Sequence, residues 1–409
     1  MQIAFGRVAG LDVHRDSVMA CVRIPGKGER REIVQGFGTM TRDLLSLRDW
    51  LKAHEVEVVS MEATGVLWKP VYYLLEADFK LQLVNPAHIK NVPGRKTDVK
   101  DAQWIAQLTE CGLLRASFVP PPEIRELRDL TRYRTELGHE WNREVQRLHK
   151  VLQDAGIKLS SVATDIMGKS GRAMIEALIG GSKDPEVLAE LAKGPLRRKL
   201  GKLREALDGK FEARHAFLAK ELLAHLDYLG GVDDRVTLQI EECLRPFVPQ
   251  VTILKTIPGV ADKTASRIVA EVGVNMGQFP SAQHLASWAG LCPGNRESAG
   301  LHKPCGTRKG NGWIKTALVE AAWAAVHNRK SALSGQFFRL RARLGAKQAI
   351  VAVAHSMIVI IYECLSKNVP YHEFGADHFD RIEKSRVKDR LVKKLKGMGY
   401  EVTLKESAA

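Results

Sequence analysis

The sequence predicts an α/β domain followed by all-α domains. Three observations lead there. Short β-branched runs alternate with helical patterns over the first hundred residues. A proline triplet, Pro120, Pro121 and Pro122, then breaks the chain. Beyond it, apolar residues recur almost only at helical spacing.

Residues 8–12, 17–24 and 31–37 read as three strands, because apolar and β-branched residues lie between Gly, Pro and charged clusters. Leu44, Leu47 and Leu51 mark a helix, followed by a strand at 56–62, a helix over 68–77 and a strand at 81–84. The order β-β-β-α-β-α-β-α is that of a mixed sheet covered by helices. Thr97 is placed to cap a further helix that starts at Asp98.

After the prolines, Ile124, Leu127, Leu130, Leu137, Trp141, Val145, Leu148 and Leu152 step by three, four or seven residues and predict one long amphipathic helix. Its other faces carry Arg125, Arg128, Arg132, Arg134, Arg143 and Arg147, either a solvated face or a nucleic-acid contact. Further helices are expected over 184–247, interrupted at Gly180, Gly181, Gly194, Gly230 and Gly231, so the middle reads as a helical coiled-coil module. The expected division is 1–118 for the α/β domain, 119–247 for the helical module, 248–375 for a compact helical domain and 376–409 for a basic tail. Between Arg381 and Lys396 that tail carries eight basic residues against Glu383 and Asp389.

Length and charge bound the function. The 409 residues suffice for two to three domains, and 45% hydrophobic with 27% charged residues excludes a disordered or collagenous chain. Lys plus Arg number 62 against 47 Asp plus Glu, a net +15 that suits a polyanionic partner. Six cysteines without a CxxC motif suit a reducing cytoplasm. The most apolar stretch, residues 349–365, contains His355, Ser356 and Glu363 and is expected to be a buried helix rather than a membrane span.

Four carboxylates stand out. Asp12 ends the first strand in GLDVH, Glu62 ends the fourth in SMEATG, and Asp98 and Asp101 lie three apart in KTDVKDA, on one helix face. Carboxylates on two strand ends and a helix can hold two hard cations such as Mg²⁺ or Mn²⁺ across a phosphodiester. The competing reading, a surface acid or a helix cap, suits Asp101 taken alone better than Asp12 and Glu62, which end apolar strands and are followed by small or turn-forming residues.

In the C-terminal third, ILKTIPGVADKTASRIVAEVG reads as helix, hairpin at Pro258 and Gly259, then helix. Such a helix-hairpin-helix can turn backbone N–H groups toward a phosphate. WAGLCPGNRESAGLHKPCGTRKGNGWIK follows, with Ser298 in a Gly-rich loop beside Lys303, Arg308 and Lys309. Cys292, His302 and Cys305, with His284 upstream, have spacing too irregular for a zinc site.

GLDVH, MEATG and then NP (Asn85 and Pro86) ahead of KTDVKDA resemble the DEDD transposases of circularising bacterial insertion sequences, which include the pilin-gene invertases. The resemblance implies an RNase H-like (RuvC-like) N-terminal domain whose acidic positions are Asp12, Glu62, Asp98 and Asp101. It places a serine nucleophile at Ser298 and makes Lys303, Arg308, Lys309 and the Gly259 hairpin DNA contacts. The family pattern has Ser next to Gly or Ser, whereas Ser298 is followed by Ala299 and Gly300. The implied activity is site-specific cutting and rejoining of DNA at element ends and target. Mg²⁺ and a structured noncoding bridge RNA would assist a homo-oligomer acting in the cytoplasm, without a membrane. Two readings compete: a metal-dependent junction resolvase that does not use Ser298, and a basic binding protein whose acids only cap elements. Under the family reading, the 124–150 helix and the 381–396 tail are the expected backbone contacts.

Overall fold

The structure is a computed structural model describing residues 3–26, 30–86, 101–294, 297–298, 301–302 and 306–403. The chain forms two compact units, Met1–Val119 and Pro120–Ala409.

The first unit is built on a five-stranded sheet of β1 (Val8–Val13), β2 (Ser17–Pro25), β3 (Arg30–Gly38), β4 (Val58–Glu62) and β5 (Lys80–Val84), in the order β3-β2-β1-β4-β5. β1, β2 and β3 form an antiparallel meander, while β4 and β5 run parallel to β1. A parallel neighbour cannot be reached by a tight turn. The chain therefore returns through α1 (Thr41–Ala53) to β4 and through α2 (Trp68–Leu75) to β5.

Alternation assigns the two faces of the sheet. Ala9, Leu11 and Val13, with Val59, Met61 and Leu83, pack against Leu44, Leu47 and Leu51 of α1 and Val71 and Leu75 of α2. The opposite face carries Gly10 and Cys21, register partners on β1 and β2, under α3 (Asp101–Glu110). Cys21, Ala102 and Ala106 form one buried cluster there. A Cβ on Gly10 would lie 2.3 Å from both the Ala102 carbonyl oxygen and the Ala106 nitrogen, so only glycine lets α3 sit this close. At the far end of α3, the buried Glu110 carboxylate is clamped by Arg30 and by Arg23 at 3.1 Å. The expected helix start at Asp98, and Thr97, lie outside the described residues.

The second unit opens with α4 (Pro122–Asp154), whose first position is the last residue of the proline triplet, where a missing N–H costs nothing. It packs antiparallel to α8 (Ala213–Leu244): Asp154 meets His215, Glu144 lies beside His225, and Leu137 packs with Leu229 and Val232. α5 (Lys169–Ile179), α6 (Pro185–Glu190) and α7 (Leu200–Leu207) close one end of this pair around a separate core including Leu148, Leu152, Met174, Leu188 and Leu223. The expected break at Gly230 and Gly231 does not occur, because α8 runs through both. The pairing with α4 carries the propensity cost of the two glycines, and a Cβ on Gly230 would lie 3.5 Å from the Trp141 ring.

The remaining elements are α9 (Val248–Lys255), α10 (Asp262–Val272), α11 (Ala282–Trp288), the short strands β6 (Glu297–Ser298) and β7 (Leu301–His302), α12 (Gly312–Ala325), α13 (Ala332–Leu344), α14 (Ala346–Lys367) and α15 (His378–Gly397). Among described residues α14 alone is long and apolar enough to cross a membrane. It instead buries Ile350, Val353, Met357, Ile358 and Ile361 against α11, α12 and α13. The basic segment after residue 376 is largely the helix α15.

Candidate functional site

In the first unit, the β1–β4 ladder pairs Leu11 with Met61, and the next residue on each strand is an acid, Asp12 and Glu62. Residues in register on neighbouring strands face the same way. Asp12 lies two positions beyond Gly10, so both carboxylates share the face that α3 covers. Asp101 opens that helix, one residue before Ala102 on Gly10. Three of the four acids that stand out in the sequence therefore belong to one sheet face, at the carboxyl ends of the two central strands. Asp98 lies outside the described residues. Among the described residues no three His, Cys, Asp or Glu side chains form a metal-binding group.

Asp12 is half-buried and has a partner that sequence reading missed: His14 Nε2 lies 3.1 Å from its Oδ2. The signal was present in GLDVH, where a residue two beyond a strand-end acid points to the same side.

In the second unit the serine motif is an extended hairpin rather than an irregular Gly-rich loop. Arg308 N–H donates to the Cys292 carbonyl at 3.0 Å and Gly294 N–H to the Gly306 carbonyl at 2.9 Å. Farther out, Glu297 pairs with His302 and Ser298 with Leu301, so Ser298 is the last paired residue of β6. The base is closed by two glycines. Gly290 has φ of 70°, and a Cβ on Gly310 would lie 2.3 Å from the Gly290 nitrogen. Arg308 and Lys309 are exposed at the base, and Lys315 Nζ donates to Thr307 Oγ1 at 2.6 Å. Lys303 lies outside the described residues, as does Cys305 of the rejected zinc grouping. Cys292 Sγ faces the Gln283 carbonyl at 4.0 Å.

Gly259 does occupy a helical hairpin, with φ of 84°. A Cβ there would lie 2.1 Å from the Ala321 carbonyl of α12, so only glycine lets the hairpin pack this closely.

Beneath the hairpin lies a buried polar hub that the sequence did not announce. Glu271 of α10 is only 3% exposed in its side chain. Its carboxylate accepts from Arg132 Nε and Nη2 at 2.7 and 2.9 Å and from Asn311 Nδ2 at 2.7 Å. Asn311 Oδ1 meanwhile caps α12 by accepting from the Trp313 N–H at 2.9 Å, and the Arg132 guanidinium stands 5.2 Å over the Trp313 ring. Arg128 donates to the Ala270 and Glu271 carbonyls, and Arg134 to Ser266 Oγ. Three of the arginines read as a solvated face or a nucleic-acid contact thus bind α10. Burial also holds the Arg134 guanidinium below its usual pKa.

Comparison with known proteins covers both the α/β unit and the serine-hairpin region. A DEDD transposase family model of IS110 elements matches residues 9–157, and a model described as transposase of the IS116/IS110/IS902 family matches 251–337. An insertion element IS110 protein of Streptomyces coelicolor is 26% identical over 302 residues, covering 68% of this chain and 73% of that protein. A pilin gene-inverting protein of Moraxella bovis is 29% identical over 142 residues, 34% of this chain and 44% of its own. A T. thermophilus RuvC solved with a Holliday junction substrate aligns over 28% of this chain and all of its own at 14% identity, with a TM-score of 0.21. The fold assignment rests on the strand order and not on that superposition. With an acidic α/β domain and a serine-hairpin domain each matched by its own family model, together over more than half its length, the chain belongs to the IS110 family of transposases.

Proposed function

We propose that this transposase cuts and rejoins DNA at element ends and target through Ser298, with Asp12, Glu62, Asp98 and Asp101 holding Mg²⁺ or Mn²⁺ and a noncoding bridge RNA choosing the sites. The observation that carries this is the placement of Asp12 and Glu62 on adjacent strand ends under the helix of Asp101. An all-carboxylate set on rigid supports fits a hard divalent cation. When bound, that cation would neutralise charge at the scissile phosphate.

The chain's own groups supply the rest. The paired backbone of β6 and β7 sets Ser298 opposite Leu301, a fixed backbone position that suits a nucleophile. Arg308 and Lys309 bring positive charge for the phosphate oxygens. In the step proposed, the serine oxygen forms a bond to phosphorus as the bond from phosphorus to the deoxyribose oxygen breaks, and the serine proton is passed, through solvent or a carboxylate, to that leaving oxygen, which departs as a hydroxyl. A hydroxyl of another strand then reverses the exchange, so the phosphodiester is conserved and no external energy source is needed.

The test is covalent trapping. Full-length protein with bridge RNA, Mg²⁺ and a substrate pre-nicked in its continuing strand should give a protein–DNA adduct that survives detergent and vanishes in Ser298→Ala. Cleavage without an adduct would instead support the junction-resolvase reading. An adduct mapped to Ser287 or Thr307 would replace the nucleophile. Efficient site-specific recombination without RNA would remove the guide from the reading and leave the chemistry standing.

A further inference from the structure

A second electropositive surface lies on α13 and its flanking turns, away from the serine hairpin. Between Glu320 and Glu363 the chain contains no Asp or Glu but six cations, Arg329, Lys330, Arg339, Arg341, Arg343 and Lys347. All six are exposed. Elsewhere in the unit Arg132, Arg147, Arg172, Arg204 and Arg267 each pair with a carboxylate, and within the patch Arg339 is itself engaged. Among the described residues Glu373 accepts from the Ala332 N–H at the first position of α13, and α15, which carries Glu383 and Asp389, also packs on α13.

The patch is also braced. The Arg329 guanidinium stands 4.1 Å from the Phe338 ring centroid, and Arg341 lies 6.0 Å from the same ring. Phe338 packs edge-on to Phe337, which meets the exposed Trp323 of α12. Holding cations over aromatic rings lowers the entropy lost when they meet a ligand. The helix dipole accounts for Arg341 and Arg343 in the last turn of α13. It does not account for Arg329, Lys330 and Lys347, which lie outside that helix, or for the missing acids.

We propose that this patch binds the phosphate backbone of the DNA duplex flanking the cut site, an inference that rests on the DNA-recombining reading above. Placement favours DNA as the partner. α12 carries the serine hairpin before its first turn and Arg329 and Lys330 just after its last. Its 14 residues span about 21 Å, roughly six base pairs of duplex. A duplex with its scissile phosphate at the hairpin would present phosphates to the patch along the same helix.

The experiment compares full-length protein with the variant Lys330→Gln, Arg341→Gln, Arg343→Gln, Lys347→Gln, which leaves Phe338 and Arg329 in place. Binding of a labelled duplex of about 40 base pairs, long enough to cover hairpin and patch together, is measured over a salt series, with thermal unfolding as the control for folding. Each phosphate contact contributes about 0.9 to the slope of log K against log salt, so the variant's slope should flatten by about 2 to 4. An unchanged slope overturns the proposal, as does a slope that flattens for the bridge RNA and not for the duplex. Adduct formation is not the readout, so failure of Ser298 as nucleophile remains distinguishable from failure of the patch.

Discussion

Arg132 of the long helix and Glu271 of the hairpin-following helix are 139 residues apart and joined by two parallel N–H···O bonds of 2.7 and 2.9 Å. A carboxylate this buried depends on its donors. Removing one partner of such a pair costs about 3 to 5 kcal/mol when it strands the other charge. Glu271→Ala removes the acceptor for Arg132 and Asn311 and should destabilise the second unit by about that amount in urea titration. Arg132→Ala leaves Glu271 with Asn311 and Arg128, so about 1 to 3 kcal/mol is expected. Equal losses for the two variants would show that the carboxylate is not the hub.

Asp12→Asn and Glu62→Gln should each abolish recombination in a cell-based excision or integration assay, because either change removes ligand charge from the proposed cation site. Both acids are partly exposed, so neither substitution opens a cavity in the core. Melting temperatures should therefore stay within a few degrees of the parent. Near-parental recombination by Asp12→Asn would dismantle the site. Loss of recombination with retained DNA binding would separate an enzyme from a binding protein.

Gly10→Ala tests whether the seat of α3 matters to the acids around it. The added Cβ would lie 2.3 Å from backbone atoms of Ala102 and Ala106, and backbone cannot rotate away as a side chain can. About 1 to 3 kcal/mol of destabilisation is expected, with α3 and Asp101 pushed off the sheet. Recombination should fall more steeply than stability. Parental activity in a stably folded Gly10→Ala protein would mean that the position of Asp101 is not critical.

The first unit was largely legible in the sequence, since expected strands at 8–12, 17–24, 31–37 and 81–84 lie within a residue or so of those observed. Alternation and turn residues are local signals, and a sheet that buries one side chain in two must display them. The acids at strand ends were visible for the same reason. The arginines were not. Arg128, Arg132 and Arg134 have the spacing of a solvated face, and nothing local shows that α10 packs there and supplies Glu271, Ser266 and two carbonyls. Periodicity likewise gave helices in the middle third without showing that α4 and α8 pair across the small helices between them. The extended backbone around Ser298 escaped because Gly, Pro and Ser mark turns, and here the pairing comes from Cys292 and Arg308, sixteen positions apart.

Cys21 offers a check on the sealed face beneath α3. Burial, reinforced by the nearby Glu32 carboxylate, pushes its thiol from 9.0 up to about 12. The thiolate is the reactive form, so folded Cys21 should resist iodoacetamide at about pH 8 while the partly exposed Cys111 and Cys292 react. Peptide mass spectrometry reads the difference directly. The same shift fixes a sign. The folded state holds this proton more tightly than the unfolded chain, so the stabilisation is complete below pH 9.0 and is lost as pH rises from there to about 12. Cys21→Ala should therefore weaken the alkaline loss of stability seen by urea titration between about pH 9 and 11, and leave the neutral range nearly unchanged. Modification of Cys21 as fast as Cys292 in the folded chain would show that α3 does not seal this face, and that Asp101 is not held where the carboxylate site requires it.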